Sequence, residues 1–300
     1  MEHIDFHISY QCINKCIFCS SSGSIKEFKD HPLKFQKIMQ LLKEKRKTFK
    51  SIHLTGGEPT LYPQFPMLVK EVKKLGYQIA VGTNGGKFED KDFCRKTAPF
   101  IDEVCFSVHG HNEKLHNLHT NNRNSFKNVI KAIDNLSAFP LHFMSNTVIT
   151  KHNIQYLKKI LSFIVSKKIK QSLLSNLAPE GNGLKNYQKL SVRLKEIEKI
   201  VPGLAGFSED NNMILRFFGI PACILGEYAE LSNDFFWDSR LNIEQGRDKK
   251  RIFIKEEPVF SPDRSRIKTE KCCNCIYKDI CGGIFQEYYR LFNDSELTKK

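Results

Sequence analysis

The sequence predicts an α/β protein, a partial (βα)6 TIM-like barrel followed by a small cysteine-rich C-terminal unit. Three observations carry this expectation. Short apolar runs alternate with amphipathic helical patterns up to about residue 177. Polar, glycine-rich segments follow the apolar runs directly. Most of the ten cysteines gather in two groups toward opposite ends of the chain.

The apolar runs predict strands over 4–9, 51–54, 78–82, 103–107, 142–148 and 171–177. Apolar residues at three- and four-residue spacing predict helices over 34–46, 65–75, 125–136 and 154–166. Such alternation argues for parallel βα units, and right-handed crossovers curl them into a barrel or an open part of one. The cysteine loop, TGGEPT, TNGG and SVHGH then fall at the carboxyl ends of the first four strands, where βα barrels build their active sites. After a helical segment near 185–200 the alternation stops. Val201-Pro202-Gly203 is the expected boundary, giving a core over 1–202 and a C-terminal domain over 203–300.

A 40% hydrophobic and 27% charged chain excludes collagen-like and disordered classes. Its 300 residues can bury a core without a disulfide framework. The net charge of +14 is spread over short clusters at 43–50, 167–170 and 247–251, which read as solvated helix faces rather than a nucleic-acid surface. The N-terminus lacks a signal-peptide pattern, and no run approaches eighteen apolar residues, so a cytoplasmic protein without a membrane span is expected. In that compartment thiols stay reduced, and clustered cysteines read as metal ligands. Cys94, Cys105 and Cys223 stand alone, the first two in apolar surroundings that suggest small buried side chains. His109, His111, His116 and His119 form a string that reads as solvated or substrate-facing rather than metal-binding.

Cys12, Cys16 and Cys19 form a CxxxCxxC loop. A cubic iron–sulfur cluster takes four thiolates, so three leave one iron open to a ligand. A structural zinc site with His3, His7 or His31 as fourth ligand is the alternative. Gly56-Gly57-Glu58-Pro59-Thr60 follows a strand; its glycines allow close backbone approach and Glu58 can accept from an ammonium group. A plain tight turn is the alternative there.

These motifs, with Thr83-Asn84-Gly85 and Ser107-Val108-His109-Gly110, together resemble the radical S-adenosylmethionine (radical SAM) superfamily over about residues 4–180. The resemblance implies that Cys12, Cys16 and Cys19 hold a [4Fe-4S] cluster whose open iron is chelated by SAM. It implies that Gly56, Gly57 and Glu58 bind the methionyl ammonium and that Phe18 packs against the adenine. Asn84, Ser107 and Asn146 would line the rest of the SAM pocket. Reductive cleavage of SAM would then release a 5′-deoxyadenosyl radical that takes a hydrogen from substrate, with flavodoxin or ferredoxin as electron donor.

The second group contains CxxCxxxxxC in Cys272, Cys275 and Cys281; with upstream Cys223 it offers four thiolates, enough for a tetrahedral zinc or a closed [4Fe-4S] cluster. It resembles the auxiliary-cluster extension called SPASM, more closely its short form, Twitch. That resemblance implies a second [4Fe-4S] cluster, with zinc the lesser occupant and Cys273 a substitute for Cys272. Enzymes with this extension often crosslink or oxidise peptide or protein side chains, so a peptide or protein substrate is the leading expectation. With eleven residues ahead of Cys12, leader-peptide recognition is expected of a separate protein. A nucleotide, tRNA base or small metabolite is the alternative substrate, although no nucleic-acid module is visible. A metal-binding scaffold without catalysis is the remaining alternative.

Overall fold

The computed structural model describes residues 3–249 and 251–298. Lys250, within one of the basic clusters, lies outside the described residues. Nine strands form one sheet: β1 (His3–Ser9), β2 (Ser51–Gly56), β3 (Gln78–Thr83), β4 (Glu103–Ser107), β5 (His142–Val148), β6 (Gln171–Ser175), β7 (Ile214–Phe218), β8 (Arg240–Asp248) and β9 (Arg251–Val259). Their order is β7-β6-β5-β4-β3-β2-β1-β8-β9. Every pair is parallel except β8 with β9. A two-stranded antiparallel pair, β10 (Arg266–Ile267) and β11 (Ile284–Phe285), stands apart.

The period of two in each strand sorts side chains between two environments. Ile4, Phe6, Ile52, Leu54, Ile79, Val81, Val104 and Phe106 are buried. They pack with apolar stripes of helices such as Phe65–Lys74, which buries Phe65, Leu68, Val69 and Val72. The intervening residues, among them His53, Thr55, Cys105, Ser107, Asn146 and Ser175, line a cavity. The sheet is therefore apolar under its helices and turns a mixture of polar and apolar side chains to its lumen.

The six expected strands and four expected helices are present within a few residues, the last helix beginning as a 3₁₀ turn at Ile154–Tyr156 before Leu157–Ser166. Two features differ. The sheet has nine strands, because β7 extends one edge and the β8–β9 hairpin the other. The expected boundary after residue 202 falls inside helix Leu194–Asp210. Pro202 does forfeit a helical hydrogen bond, but Val201, Leu204, Ala205 and Ser208 keep a continuous buried stripe across it. Among the described residues no helix is long and apolar enough to cross a membrane.

Candidate active site and C-terminal thiol group

The loop after β1 carries Cys12, Cys16 and Cys19, and all three face a cavity of about 1110 Å³ within the sheet. Backbone bonds fix the loop at both ends. Gly57 N–H donates to Ser9 O and Glu58 N–H to Gln11 O, each at 2.7 Å, while Lys15 and Ile17 donate to the carbonyls of Thr120 and His119. Gly56 sits at φ +126°, and a Cβ there would lie 2.2 Å from Ser9 O; one on Gly57 would lie 2.5 Å from Gln11 O. The glycine pair thus lets the end of β2 approach the cysteine loop, and both glycines also line the cavity.

Glu58 stands apart from the other expected site residues. Its side chain is fully buried and is absent from the cavity wall. Oε1 accepts from Thr60 N–H, Thr60 Oγ1 and Thr83 Oγ1 at 3.1, 2.7 and 2.9 Å, and Oε2 accepts from Asn84 N–H at 2.8 Å. It is a brace between the GGEPT and TNGG loops. Burial pushes its carboxyl upward, and those donors oppose the shift.

The other expected residues do meet at the cavity. Phe18, Asn84, Ser107 and Asn146 all line it. Phe18 packs edge-on against His109, ring centroids 4.7 Å apart. Asn84 Nδ2–H donates to Cys12 Sγ at 3.4 Å, as does Asn14 N–H, so Asn84 is aimed at the cysteine loop. Ser107 and Asn146 are register partners on β4 and β5, and Asn146 Oδ1 accepts from Ser175 Oγ at 2.8 Å. Burial pushes the Cys12 thiol up to about 11 and raises Cys16 and Cys19 as well, with neighbouring thiols adding to the first two. Such thiols stay protonated until a cation claims them, and a coordinating metal does so.

Two lone features also move. Cys105 lines the cavity instead of the apolar core, with burial pushing its thiol up to about 12, whereas Cys94 is buried as expected. His116 and His119 are buried and partnered, by Ser125 Oγ and by Thr150 Oγ1 with Leu115 O, so they are not solvated. His109 reaches the cavity, and burial together with His116 and His119 keeps it neutral. Sequence reasoning missed the cavity's basic lining. Lys15, Lys26, Lys29, Lys185 and Arg240 face it, with Asp30 the one carboxylate among the described lining residues. They come from separate loops, helices and β8, so no charge run announces them.

The second thiol group closes on a pocket of its own. Cys223, just after β7, joins Cys272, Cys275 and Cys281 there, while Cys273 is exposed and absent from its wall. Burial pushes the Cys223 thiol up to about 11, and Cys281, Cys275 and Cys272 add to it. Cys281 Sγ accepts from Ala222 N–H and Gly283 N–H at 3.5 and 3.4 Å. Behind it, Arg266 and Asp234 form a wholly buried ion pair with nitrogen–oxygen distances of 2.9 and 2.7 Å. Asp234 also accepts from Gly282 N–H, and Arg266 donates to Gly283 O. Gly283 sits at φ +83°, and a Cβ there would lie 2.1 Å from Ile267 O, which explains the Cys-Gly-Gly ending of the motif. Among the described residues, no group of three His, Cys, Asp or Glu side chains is gathered tightly enough for a single metal ion.

A family model described as the radical SAM superfamily matches residues 6–164. A probable GTP 3′,8-cyclase from Sulfurisphaera tokodaii is 27% identical over 205 residues, 67% of this chain and 64% of the relative. A tungsten-containing aldehyde ferredoxin oxidoreductase cofactor-modifying protein from Pyrococcus furiosus is 25% identical over 188 residues, 60% of this chain and 52% of the relative. The chain thus spans less than two thirds of either relative's length. Among solved structures, Streptococcus suis SuiB bound to S-adenosylmethionine aligns with a TM-score of 0.68 at 16% identity, over 99% of this chain and 76% of that one. SuiB bound to its precursor peptide SuiA aligns with a TM-score of 0.62 at 15% identity, over 80% of this chain and 57% of that one. At that identity the likeness is one of fold.

Proposed function

The chain belongs to the radical SAM superfamily, and from that premise we propose that it uses SAM and a cluster on Cys12, Cys16 and Cys19 to oxidise or crosslink a peptide or protein side chain. The observation that carries this reading is the opening of all three thiols, with Gly56 and Gly57, onto one 1110 Å³ cavity. Sites for single small ligands run to about 300–1,000 Å³, so this lumen has room for SAM and part of a substrate together. When bound, the cluster and SAM supply a carbon radical. The chain's own residues orient and enclose: Asn84 and Asn14 hold Cys12, Phe18 and His109 form an apolar shelf, and Glu58 locks the two loops beneath them.

The second thiol set supports an auxiliary [4Fe-4S] cluster on Cys223, Cys272, Cys275 and Cys281. One zinc would draw four sulfurs to about 2.3 Å each, whereas a cubane gives each thiolate its own iron. The four thiols share one pocket, and the resemblance of their spacing to the Twitch extension supports the second arrangement. We place the C-terminal unit on the segments outside the sheet that carry the thiols, the turn at Cys223 and the stretch after β9, since β7, β8 and β9 all belong to the sheet. A redox partner such as flavodoxin or ferredoxin completes this reading.

A nucleotide is the second reading, favoured by the cyclase relative and by a lining rich in lysine and arginine. The test is anaerobic reconstitution. Two clusters give about eight irons per chain. Dithionite with SAM should then yield 5′-deoxyadenosine; protein that loads iron and forms none is a scaffold, and the proposal fails.

A further inference from the structure

Beside the cysteine loop the cavity wall is made by the turn after β4, and one side chain there has a single polar atom left over. His109 is 4% exposed and lines the cavity, its ring centroid 4.7 Å from that of Phe18, the neighbour of Cys19. Its backbone N–H donates to His116 Nδ1 at 3.2 Å, and its carbonyl accepts from Asn153 Nδ2–H at 3.3 Å. Its Nδ1 accepts from the backbone N–H of Val148 at 3.3 Å. Nε2 alone has no partner among the described residues, and it is not one of the atoms sealed from solvent. Buried polar groups are nearly always paired, so this nitrogen marks a place where a bound molecule completes the bonding.

The partners fix which nitrogen carries the proton. A backbone N–H can only donate, so Nδ1, which takes the Val148 N–H, holds a lone pair. The ring is neutral, since burial, with His116 and His119 beside it, opposes a charge. In a neutral imidazole one nitrogen donates and the other accepts, so the proton is on Nε2. The shelf that His109 forms with Phe18 therefore presents one N–H at its edge, an uncharged donor that cannot accept.

Further bonds tie this donor to the cysteine loop. His116, pushed down to about 3 by burial and by His119, is neutral as well. Its Nδ1 accepts from His109 N–H, so its proton sits on Nε2 and is given to Ser125 Oγ at 3.1 Å. Ser125 Oγ also accepts from Asn14 Nδ2–H at 3.1 Å, and Asn14 N–H donates to Cys12 Sγ at 3.4 Å. Ile17 N–H donates to His119 O at 3.0 Å, which holds the loop against the same wall. A molecule held at the cysteines thus meets a donor of fixed place and fixed tautomer. The amino and carboxylate groups of SAM are charged, whereas its adenosine part is uncharged and carries several acceptors, the ring nitrogens and ribose oxygens. An uncharged donor at the edge of an aromatic shelf suits that part.

We propose that His109 Nε2–H is a cofactor-binding donor that pairs with an uncharged acceptor, a ring nitrogen or a ribose oxygen, of the adenosine part of SAM. The proposal rests on the reading that Cys12, Cys16 and Cys19 hold a cluster that binds SAM.

Two variants divide the roles of the ring's two nitrogens. In His109→Asn the amide oxygen replaces Nδ1, which keeps the bond from Val148 and removes the lumen donor. In His109→Gln the amide nitrogen reaches toward the place of Nε2, which keeps a donor and loses the bond from Val148. Anaerobically reconstituted proteins are titrated by calorimetry with S-adenosylhomocysteine, which has the adenosine part but no sulfonium to cleave, and their thermal unfolding is recorded alongside. His109→Asn should weaken binding about tenfold and His109→Gln no more than about threefold, although the Gln variant is the one expected to unfold earlier. The 1-, 3- and 7-deaza bases and the 2′- and 3′-deoxyriboses of the same ligand then locate the acceptor. One of them should lose about tenfold against wild type and less than about twofold against His109→Asn. If His109→Asn does not fold, His109→Phe, which keeps the aromatic shelf and lacks both nitrogens, takes its place. Affinities that follow unfolding temperature, with His109→Gln the weaker binder, overturn the contact, as does wild-type binding that discriminates against none of the analogues. Wild-type protein that binds no S-adenosylhomocysteine overturns the SAM reading itself, whereas binding without discrimination overturns the contact alone.

Discussion

The two thiol groups are built by different means. The first hangs on a parallel sheet: one loop holds all three cysteines, and neighbours from β2 and β3 are brought to it by strand register and by the Glu58 brace. The second has little regular structure around it. It is drawn from the end of β7 and from short turns near residue 272, and it is secured by the buried Arg266–Asp234 pair. A sheet can leave a wide lumen on one face while its other face stays packed. Turns clamped by an ion pair close tightly around what they hold. The contrast is the one expected of the proposed open centre for a substrate and the proposed closed auxiliary cluster.

The largest break in that comparison should come from the ligands themselves. Cys16→Ala is expected to lower reconstituted iron from about eight to about four per chain and to abolish deoxyadenosine formation. Cys275→Ala should lower iron equally yet leave SAM cleavage measurable, because the open centre is untouched. Equal loss of cleavage in both would show that the two thiol groups do not act as separate sites.

Asp234→Ala sharpens the comparison next. It removes no thiol, but it leaves Arg266 charged and buried without a counter-ion, at a cost of about 3–5 kcal/mol. Thermal unfolding should fall accordingly, and iron loss should be confined to the C-terminal set. A variant with wild-type stability would show that the turns do not need the clamp.

A smaller effect is pH-dependent and belongs to the lumen. Burial opposes ionisation of Asp5, but His53 and Arg240 overcome it and hold the carboxyl well below the usual carboxylate range. A depressed carboxyl adds stability that is present above its unfolded pKa, about 3.9, and is lost as pH falls below it. The difference in urea midpoint between wild type and Asp5→Asn should therefore be full at pH 6 and shrink below pH 4. A constant difference down to pH 3 would deny the pairing. The smallest effect is expected of Cys273→Ser, which should leave iron content unchanged, whereas Cys272→Ser removes the auxiliary iron.

Much of the site was legible because its signals are local. CxxxCxxC, GGEPT and TNGG each span a few residues, and their places after successive apolar runs put them at the same end of a parallel sheet. The aim of individual side chains was less legible. Glu58 reads as a ligand for an ammonium group, and nothing in the local pattern announces that Thr60, Thr83 and Asn84 all donate to it. Cys272 and Cys273 are adjacent, and which one faces the pocket depends on the turn after Glu270–Cys272. Pro202 and Gly203 carry the local marks of a break, yet the stripe from Val201 to Ser208 outweighs them.

By itself the sequence determined which atoms can bind metal, in what order the loops arrive and that the core alternates strand with helix, since these follow from residue type, spacing and period. Only the tertiary structure decided that β8 lies beside β1 and brings Arg240 to Asp5 across 235 positions, and that five cations from four separate segments share one lumen. Contacts between distant segments are set by how whole elements pack, and no local pattern encodes that.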